Sequence, residues 1–179
     1  MSSSICDIAS YNFTQTDMLL IDANVWLSIY GPQAQSDYRS QSYSKALAKI
    51  LKAKCNIFLD VLILSEFINR YSRLKYNLQG YSSGFKSYRQ SPFFKPVAKE
   101  IADAVRRILK CCKCIENGFI SIDLNNILDD YESKCPDFND QILAELCRSR
   151  SLKFVTNDSD FRDFNITILT ANKNMLNNR

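Results

Sequence analysis

With 179 residues, 46% of them hydrophobic, the chain has the length of one domain and enough apolar side chains for a sizeable core. It has no histidine and four glycines, Gly31, Gly80, Gly84 and Gly118, which excludes Ser-His-Asp and Cys-His nucleophiles, His-ligated catalytic zinc and glycine-rich loops that cradle nucleotide phosphates. The net charge of +4 is unevenly spread, with residues 1–38 summing to −4, residues 39–114 to +12 and residues 115–179 to −4; this fits a polyanion-binding surface beside an acidic site, or lysines on solvated helix faces.

The opening MSSSICDIASYNF has no positive n-region and no apolar h-region, and no aliphatic run approaches a membrane span, so a soluble, cytoplasmic protein is expected. Its seven cysteines, an odd number, are then read as reduced thiols. Met18-Leu19-Leu20-Ile21, closed by Asp22, suits a buried parallel strand, with a helix from about Asn24. Tyr43, Leu47, Ile50 and Leu51 recur at helical spacing, and Cys55 to Leu59 reads as a second strand. Leu64, Phe67, Ile68, Tyr71, Leu74 and Leu78 make one apolar stripe on a helix ending near Gly80. Residues 80–92 read as a Ser-, Gly- and Pro-containing loop, and Val97, Ile101, Ala104, Val105 and Ile108 as a helix reaching Cys114. Phe119–Ile122 is expected to be a strand, Leu124–Tyr131 and Phe138–Arg150 helices, and Lys153–Thr156 and Ile166–Leu169 the last strands, before a frayed Asn-rich tail. Strands alternating with helices give a three-layer α/β/α sandwich around a mostly parallel sheet of four or five strands, in one domain over residues 1–179. In such sheets ligands bind beyond the carboxyl ends of the strands, where Asp22 and Asp158 fall.

Each acidic position has a plain structural explanation. Asp22 can cap the following helix, and Glu66, opposite the apolar stripe, can be a solvated carboxylate. Asp140 stands in a first helical turn, where the dipole favours negative charge, and Asp158 and Asp160 can be turn residues.

In order and spacing, however, these segments resemble the PIN domain family of metal-dependent nucleases. LLIDANVWL is similar to that family's first motif, a strand ending in Asp followed by a small residue and Asn, and VTNDSDF to its last. Between them Asp140 opens a helix, and Thr156 follows sixteen residues later, while Glu66 lies in an otherwise apolar helix after the second strand. The likeness runs from Met18 to Leu169, with additional sequence at about residues 79–117 and at the N-terminus. It implies a site for one or two Mg²⁺ or Mn²⁺ ions, with Asp22, Asp140 and Asp158 as principal ligands, Glu66 and Asp160 as ligands directly or through water, and Asn24 and Thr156 orienting them. It also implies an endoribonuclease acting on single-stranded RNA, with an antitoxin protein as partner in toxin-like members and a homodimer as a further assembly. A catalytically inactive RNA-binding or assembly module of the same fold is the alternative; a flap-type DNA nuclease is disfavoured because no Gly-rich helix-hairpin-helix segment follows. Hard oxygen donors suit these ions, and clustered carboxylates cannot all ionise without cations.

Two further segments stand out. Arg70, Arg73, Lys75, Tyr81, Lys86, Tyr88 and Arg89 interleave bases with aromatics, as an RNA-stacking surface does, and as does a loop that packs its own rings on the domain. Cys111-Cys112-Lys113-Cys114 lacks the spacing and second ligand pair of structural zinc and reads as free thiols.

Overall fold

The computed structural model describes residues 4–32 and 38–177. Among these, six strands form one parallel sheet: Ser4–Asp7 (β1), Met18–Ile21 (β2), Asn56–Leu59 (β3), Lys113–Cys114 (β4), Lys153–Val155 (β5) and Thr167–Thr170 (β6). Their spatial order is β1-β6-β5-β2-β3-β4. The flanking helices are Ala23–Tyr30 (α1), Tyr38–Lys52 (α2), Val61–Gln79 (α3), Phe85–Gln90 (α4), Phe94–Cys111 (α5), Leu124–Lys134 (α6), Phe138–Ser149 (α7) and Lys173–Asn177 (α8). The expected α/β sandwich is therefore present, with two more marginal strands than the sequence revealed.

The centre of the sheet follows directly from its residues. Leu19, Leu20 and Ile21 of β2 are all buried, because a parallel strand covered on both faces has no side left for polar groups. The long helices bury one stripe each: Ile63, Phe67 and Tyr71 on α3, and Val97, Ile101, Ala104 and Ile108 on α5. Full burial of a ring such as Phe67 contributes roughly 1.5–3 kcal/mol. The α3 helix is capped by Asp60, whose Oδ1 accepts from the Leu62 N–H at 2.8 Å, and it stops at Gly80, whose φ of 59° lies in the left-handed region.

The edges depart from expectation. β1 pairs in register with β6, from Ser4 opposite Thr167 to Asp7 opposite Thr170, though Ser-Ile-Cys-Asp carries little apolar signal. Phe119–Ile122 is not a strand: Phe119–Ser121 is a 3-10 turn entered through Gly118 at φ 71°, and Ile120 is fully exposed, so its apolar side chain has no packing to hold it extended. The edge position is taken by β4, where Lys113 lies opposite Phe58. Within the expected loop, Phe85–Gln90 is helical. In the expected frayed tail, Lys173–Asn177 forms a helix that buries Met175; Asn178 and Arg179 lie outside the described residues.

At the amino ends of β2 and β5, Asp17 is buried and paired with Lys153, whose ammonium also donates to the Tyr11 hydroxyl at 2.6 Å. Burial alone would push the Asp17 carboxyl up, but Lys153, the Thr14 N–H and Tyr11 outweigh it and hold it below the ordinary value. All seven cysteines are free thiols, and no described helix is long and apolar enough to cross a membrane.

Candidate metal centre

The strand order reverses between β2 and β5, which lie side by side with Ile21 opposite Val155. Residues leaving the carboxyl ends of these two strands therefore meet at the switch point of the sheet. Asp22 leaves β2 there and Thr156-Asn157-Asp158 leaves β5. Asp22 occupies the N-cap position of α1, yet its side chain makes no capping hydrogen bond to the helix. Instead its Oδ2 accepts from the Thr156 hydroxyl at 2.6 Å and from the Asn24 amide at 2.5 Å. Asn24 also donates to Thr156 Oγ1 at 3.1 Å, and its Oδ1 accepts from the Asn157 N–H at 3.1 Å. The Asp158 N–H closes this network by donating to Thr156 Oγ1 at 3.0 Å.

The turn is held from behind by residues that the sequence analysis passed over. The buried Tyr43 hydroxyl contacts the Thr156 carbonyl at 3.3 Å and Asn157 Oδ1 at 3.1 Å, and accepts from the Ala171 N–H at 3.1 Å. Asn172 donates to the Asn157 carbonyl at 2.9 Å. Asn157 lies inside the VTNDSDF motif and was legible there. Tyr43 registered only as a core position, because apolar periodicity is blind to a ring's hydroxyl.

On α7 the capping is done by Asp137, whose Oδ1 accepts from the Asn139 and Asp140 N–H groups at 2.8 and 3.4 Å, so Asp140 is not required as a cap. Burial and the negative charges of Asp137, Asp158, Asp22 and Glu66 raise the Asp140 carboxyl to about 7. The Asp22 carboxyl is raised to about 6, mainly by burial; the Thr156 hydrogen bond opposes this, and the charges of Glu66 and Asp158 add to it. Two of the five expected acids, Asp22 and Asp140, are thus raised, and the charges of Glu66 and Asp158 contribute to both. Glu66 is half-exposed and paired with Arg70 at 2.8 Å. Asp158 spends Oδ1 on the Asp160 N–H at 3.1 Å. Asp160 is exposed at the rim, where it shares with Asp140 the lining of a cavity of about 430 Å³.

Among the described residues, no three Asp, Glu or Cys side chains are gathered as closely as an ion would require. Chemically the donors nevertheless fit a hard divalent cation: all are oxygens, and the charges acting most strongly on Asp22 and Asp140 are negative. One further acid at this end of the sheet escaped the sequence analysis. Asp60, which follows β3, is buried with Oδ2 unpaired, and burial raises its carboxyl, but none of the four acids contributes to its shift.

The basic and aromatic positions mostly have partners. Tyr88 is fully buried among Tyr76, Tyr81, Phe85 and Phe94 and donates to Gln79 at 2.8 Å, so its ring has no free face for a base, which corrects its selection as an RNA contact. Lys75 pairs with Glu100 at 2.5 Å, and Arg73 and Arg89 lie over the Phe85 and Phe94 rings. Tyr81 is half-buried against Phe93, and Lys86 is exposed.

A parallel α/β domain with an acidic centre at the switch point of its sheet is the class that fold and site define. The chain belongs to the PIN domain family, whose model matches residues 19–166; PIN domains are generally nucleases. No curated protein matches the sequence significantly. Among solved structures, the chain is similar to one from VapBC2 of Rickettsia felis bound to a DNA fragment from their promoter, at 13% identity over 86% of this chain and 98% of that chain, with a TM-score of 0.55. It is also similar to PAE2754 from Pyrobaculum aerophilum, at 15% identity over 90% and 96% of the two chains, with a TM-score of 0.48.

Proposed function

We propose that the chain is an endoribonuclease that hydrolyses single-stranded RNA with one or two Mg²⁺ or Mn²⁺ ions, and that it works in the cytoplasm as the toxin of a toxin–antitoxin pair. The observation that carries this reading is that Asp22 and Asp140 are both raised, mainly by burial and in part by the negative charges of Glu66 and Asp158. Asp22, Asp140 and Asp158 would hold the ion, with Glu66 and Asp160 acting directly or through water. When bound, such an ion lowers the pKa of water and neutralises charge on the phosphate oxygens. Thr156 and Asn24 fix Asp22 through a single oxygen, Oδ2, and the Tyr43–Asn157 contacts keep the turn bearing Asp158 in register with it. Water oxygen attacks phosphorus and the P–O3′ bond breaks; the water's proton ends on the leaving oxygen, giving 5′-phosphate and 3′-hydroxyl ends. Lys86, Arg89 and Tyr81 are candidates for holding RNA outside the centre. The PIN family and the likeness in fold to a VapBC2 chain support an antitoxin partner, and a homodimer is a further assembly to test.

A second reading, an inactive PIN module that binds RNA or assembles with partners, is favoured by the engagement of Glu66 by Arg70. Incubating the protein with single-stranded RNA and DNA, in Mn²⁺ or excess chelator, separates the two. Cleavage of RNA in Mn²⁺ alone, lost in Asp22→Asn and Asp140→Asn with the fold retained, is the expected result. Full activity in either variant or in chelator would refute the metal-centre reading, and RNA binding without cleavage would favour the module.

A further inference from the structure

The aromatic and basic residues after Gly80 are largely engaged with one another, but the fold brings a second ring and cation together beside the acidic centre. Tyr38 opens α2 and Lys173 opens α8, and the Lys173 ammonium lies over the Tyr38 ring, 5.0 Å from its centroid. With that cation over one face Tyr38 is still 56% exposed, so ring surface is left for a further contact. Lys173 is itself exposed and, unlike Arg70 and Lys75, pairs with no carboxylate among the described residues. Both residues are anchored to the turn that carries Asp158. Asn172, immediately before Lys173, donates to the Asn157 carbonyl at 2.9 Å, and Arg162, two residues after Asp160, donates to the Asn174 carbonyl at 3.0 Å. From the other side Tyr43, one turn beyond Tyr38 on α2, contacts the Thr156 carbonyl and Asn157 Oδ1. The pair therefore stands on the flank of the acidic centre where β5 and β6 end.

We infer that Tyr38 and Lys173 form a platform for one nucleotide of a single-stranded RNA: an unpaired base stacks on the Tyr38 ring, and an adjacent backbone phosphate meets the Lys173 ammonium. The platform rests on the ribonuclease reading and adds to it the place where the strand beside the cleaved bond is held. An aromatic face stacks on every base, so this contact selects for bases that are unpaired and not for a sequence. An ammonium is a point charge that meets a phosphate without a fixed geometry, and attraction to the ring already holds this one in place, so less freedom is lost when RNA binds. The position also answers an electrostatic need. The acids repel a polyanion wherever no ion neutralises them, and a strand led close to Asp158 is offset by a cation on that flank. Tyr38 and Lys173 are more than 130 residues apart in the chain and meet only because β6 ends beside the start of α2.

The test measures binding of a fluorescent, unstructured oligoribonucleotide to the full chain in excess chelator at low salt, where the proposed cleavage is off and the platform, which uses no ion, is intact. Tyr38→Ala is expected to weaken binding about tenfold, the effect of one stacked base, while Tyr38→Phe, which keeps the ring, stays close to wild type. The loss in Tyr38→Ala is expected for the single strand and not for a duplex of the same length, whose bases are already stacked on one another; a purely structural role for Tyr38 would move both alike. Lys173→Ala is expected to lower the slope of log affinity against log salt by about 0.7, the signature of one phosphate contact to a single strand. These results support the platform even if Mn²⁺ then brings about no cleavage, an outcome that would defeat only the nuclease reading. Wild-type protein that does not bind the single strand in chelator overturns the platform, as do folded Tyr38→Ala and Lys173→Ala proteins that bind it as wild type does, or an equal loss for strand and duplex. Cleavage in Mn²⁺ alongside any of those three leaves the nuclease reading standing.

Discussion

Removing one charge from the acidic centre is expected to stabilise the metal-free protein. Asp140 is raised from 3.8 to about 7 by burial and by Asp137, Asp158, Asp22 and Glu66. Because the folded-state value is raised, the folded protein binds a proton that the unfolded chain has released. The contribution to stability is complete below the unfolded value and is lost as pH rises through about 7. If the whole shift were realised, ionising Asp140 in the fold would cost about 4 kcal/mol at pH 8; its partial exposure to water reduces this to about 1–2 kcal/mol. Asp140→Asn removes that charge at nearly constant shape. In chelator at pH 8 its melting temperature should exceed that of wild type by about 3–6 °C, and at pH 5 the gain should fall by more than half. Mn²⁺ should reverse the order, since an ion at a hundredfold excess over its Kd adds about 2.7 kcal/mol to whichever protein still binds it. Scanning calorimetry of both proteins at the two pH values, with chelator and with Mn²⁺, measures every part of this. A variant less stable than wild type at pH 8 in chelator, or a difference independent of pH, would refute the reasoning and return Asp140 to an ordinary helix-terminal role.

Tyr88→Ala should cost about 3–5 kcal/mol in denaturant unfolding, as expected of a buried ring, whereas Tyr81→Ala should leave stability closer to wild type and weaken RNA binding by about 1–3 kcal/mol. A stable Tyr88→Ala protein with impaired RNA binding would restore the stacking role denied to it here. Lys153→Ala should cost about 2–3 kcal/mol, less than a fully enclosed pair because Lys153 is 33% exposed, and it should not alter cleavage, since Asp17 and Lys153 lie at the opposite end of the strands from Asp22. The Asp17 carboxyl is held low, so this stabilisation exists above the unfolded value and disappears as pH falls through the folded one; acid titration of both proteins should therefore bring their stabilities together.

What could be read from the sequence was decided by how many faces each segment buries. Met18–Ile21 announced itself because both its faces are covered, and α3 and α5 did so because one stripe on each is. Ser4–Asp7 stands at an edge and takes its order from β6, a partner more than 160 residues away that no local window contains. Phe119–Ile122 has strand-like composition, but it forms an exposed 3-10 turn without the packing on a half-buried surface that strand propensity reflects. Asp22 and Asp158 were legible as candidates because they follow strand ends, whereas Glu66, Asp140 and Asp160 became candidates only through the resemblance of their segments to the PIN family. Which oxygen of Asp22 is occupied, and that Tyr43 supports the turn from below, depend on contacts between β2, α2 and β5 that spacing does not encode. Tyr88 marks the same limit: an aromatic ring among bases has one composition whether it faces solvent or a core.

The pairing of β2 with β5 also has a consequence for how the chain acquires its fold. Lys153–Val155 is synthesised more than 130 residues after Met18–Ile21, so until that segment exists β2 can pair only with β3. Until then Leu19, Leu20 and Ile21 form an open, apolar strand edge, a template for association with other chains. Contacts of such sequence separation close slowly. The same delay keeps Asp22 apart from Thr156 and Asp158, so the acidic centre assembles only when the sheet closes, and a chain that lacks β5 is exposed to aggregation before that centre exists.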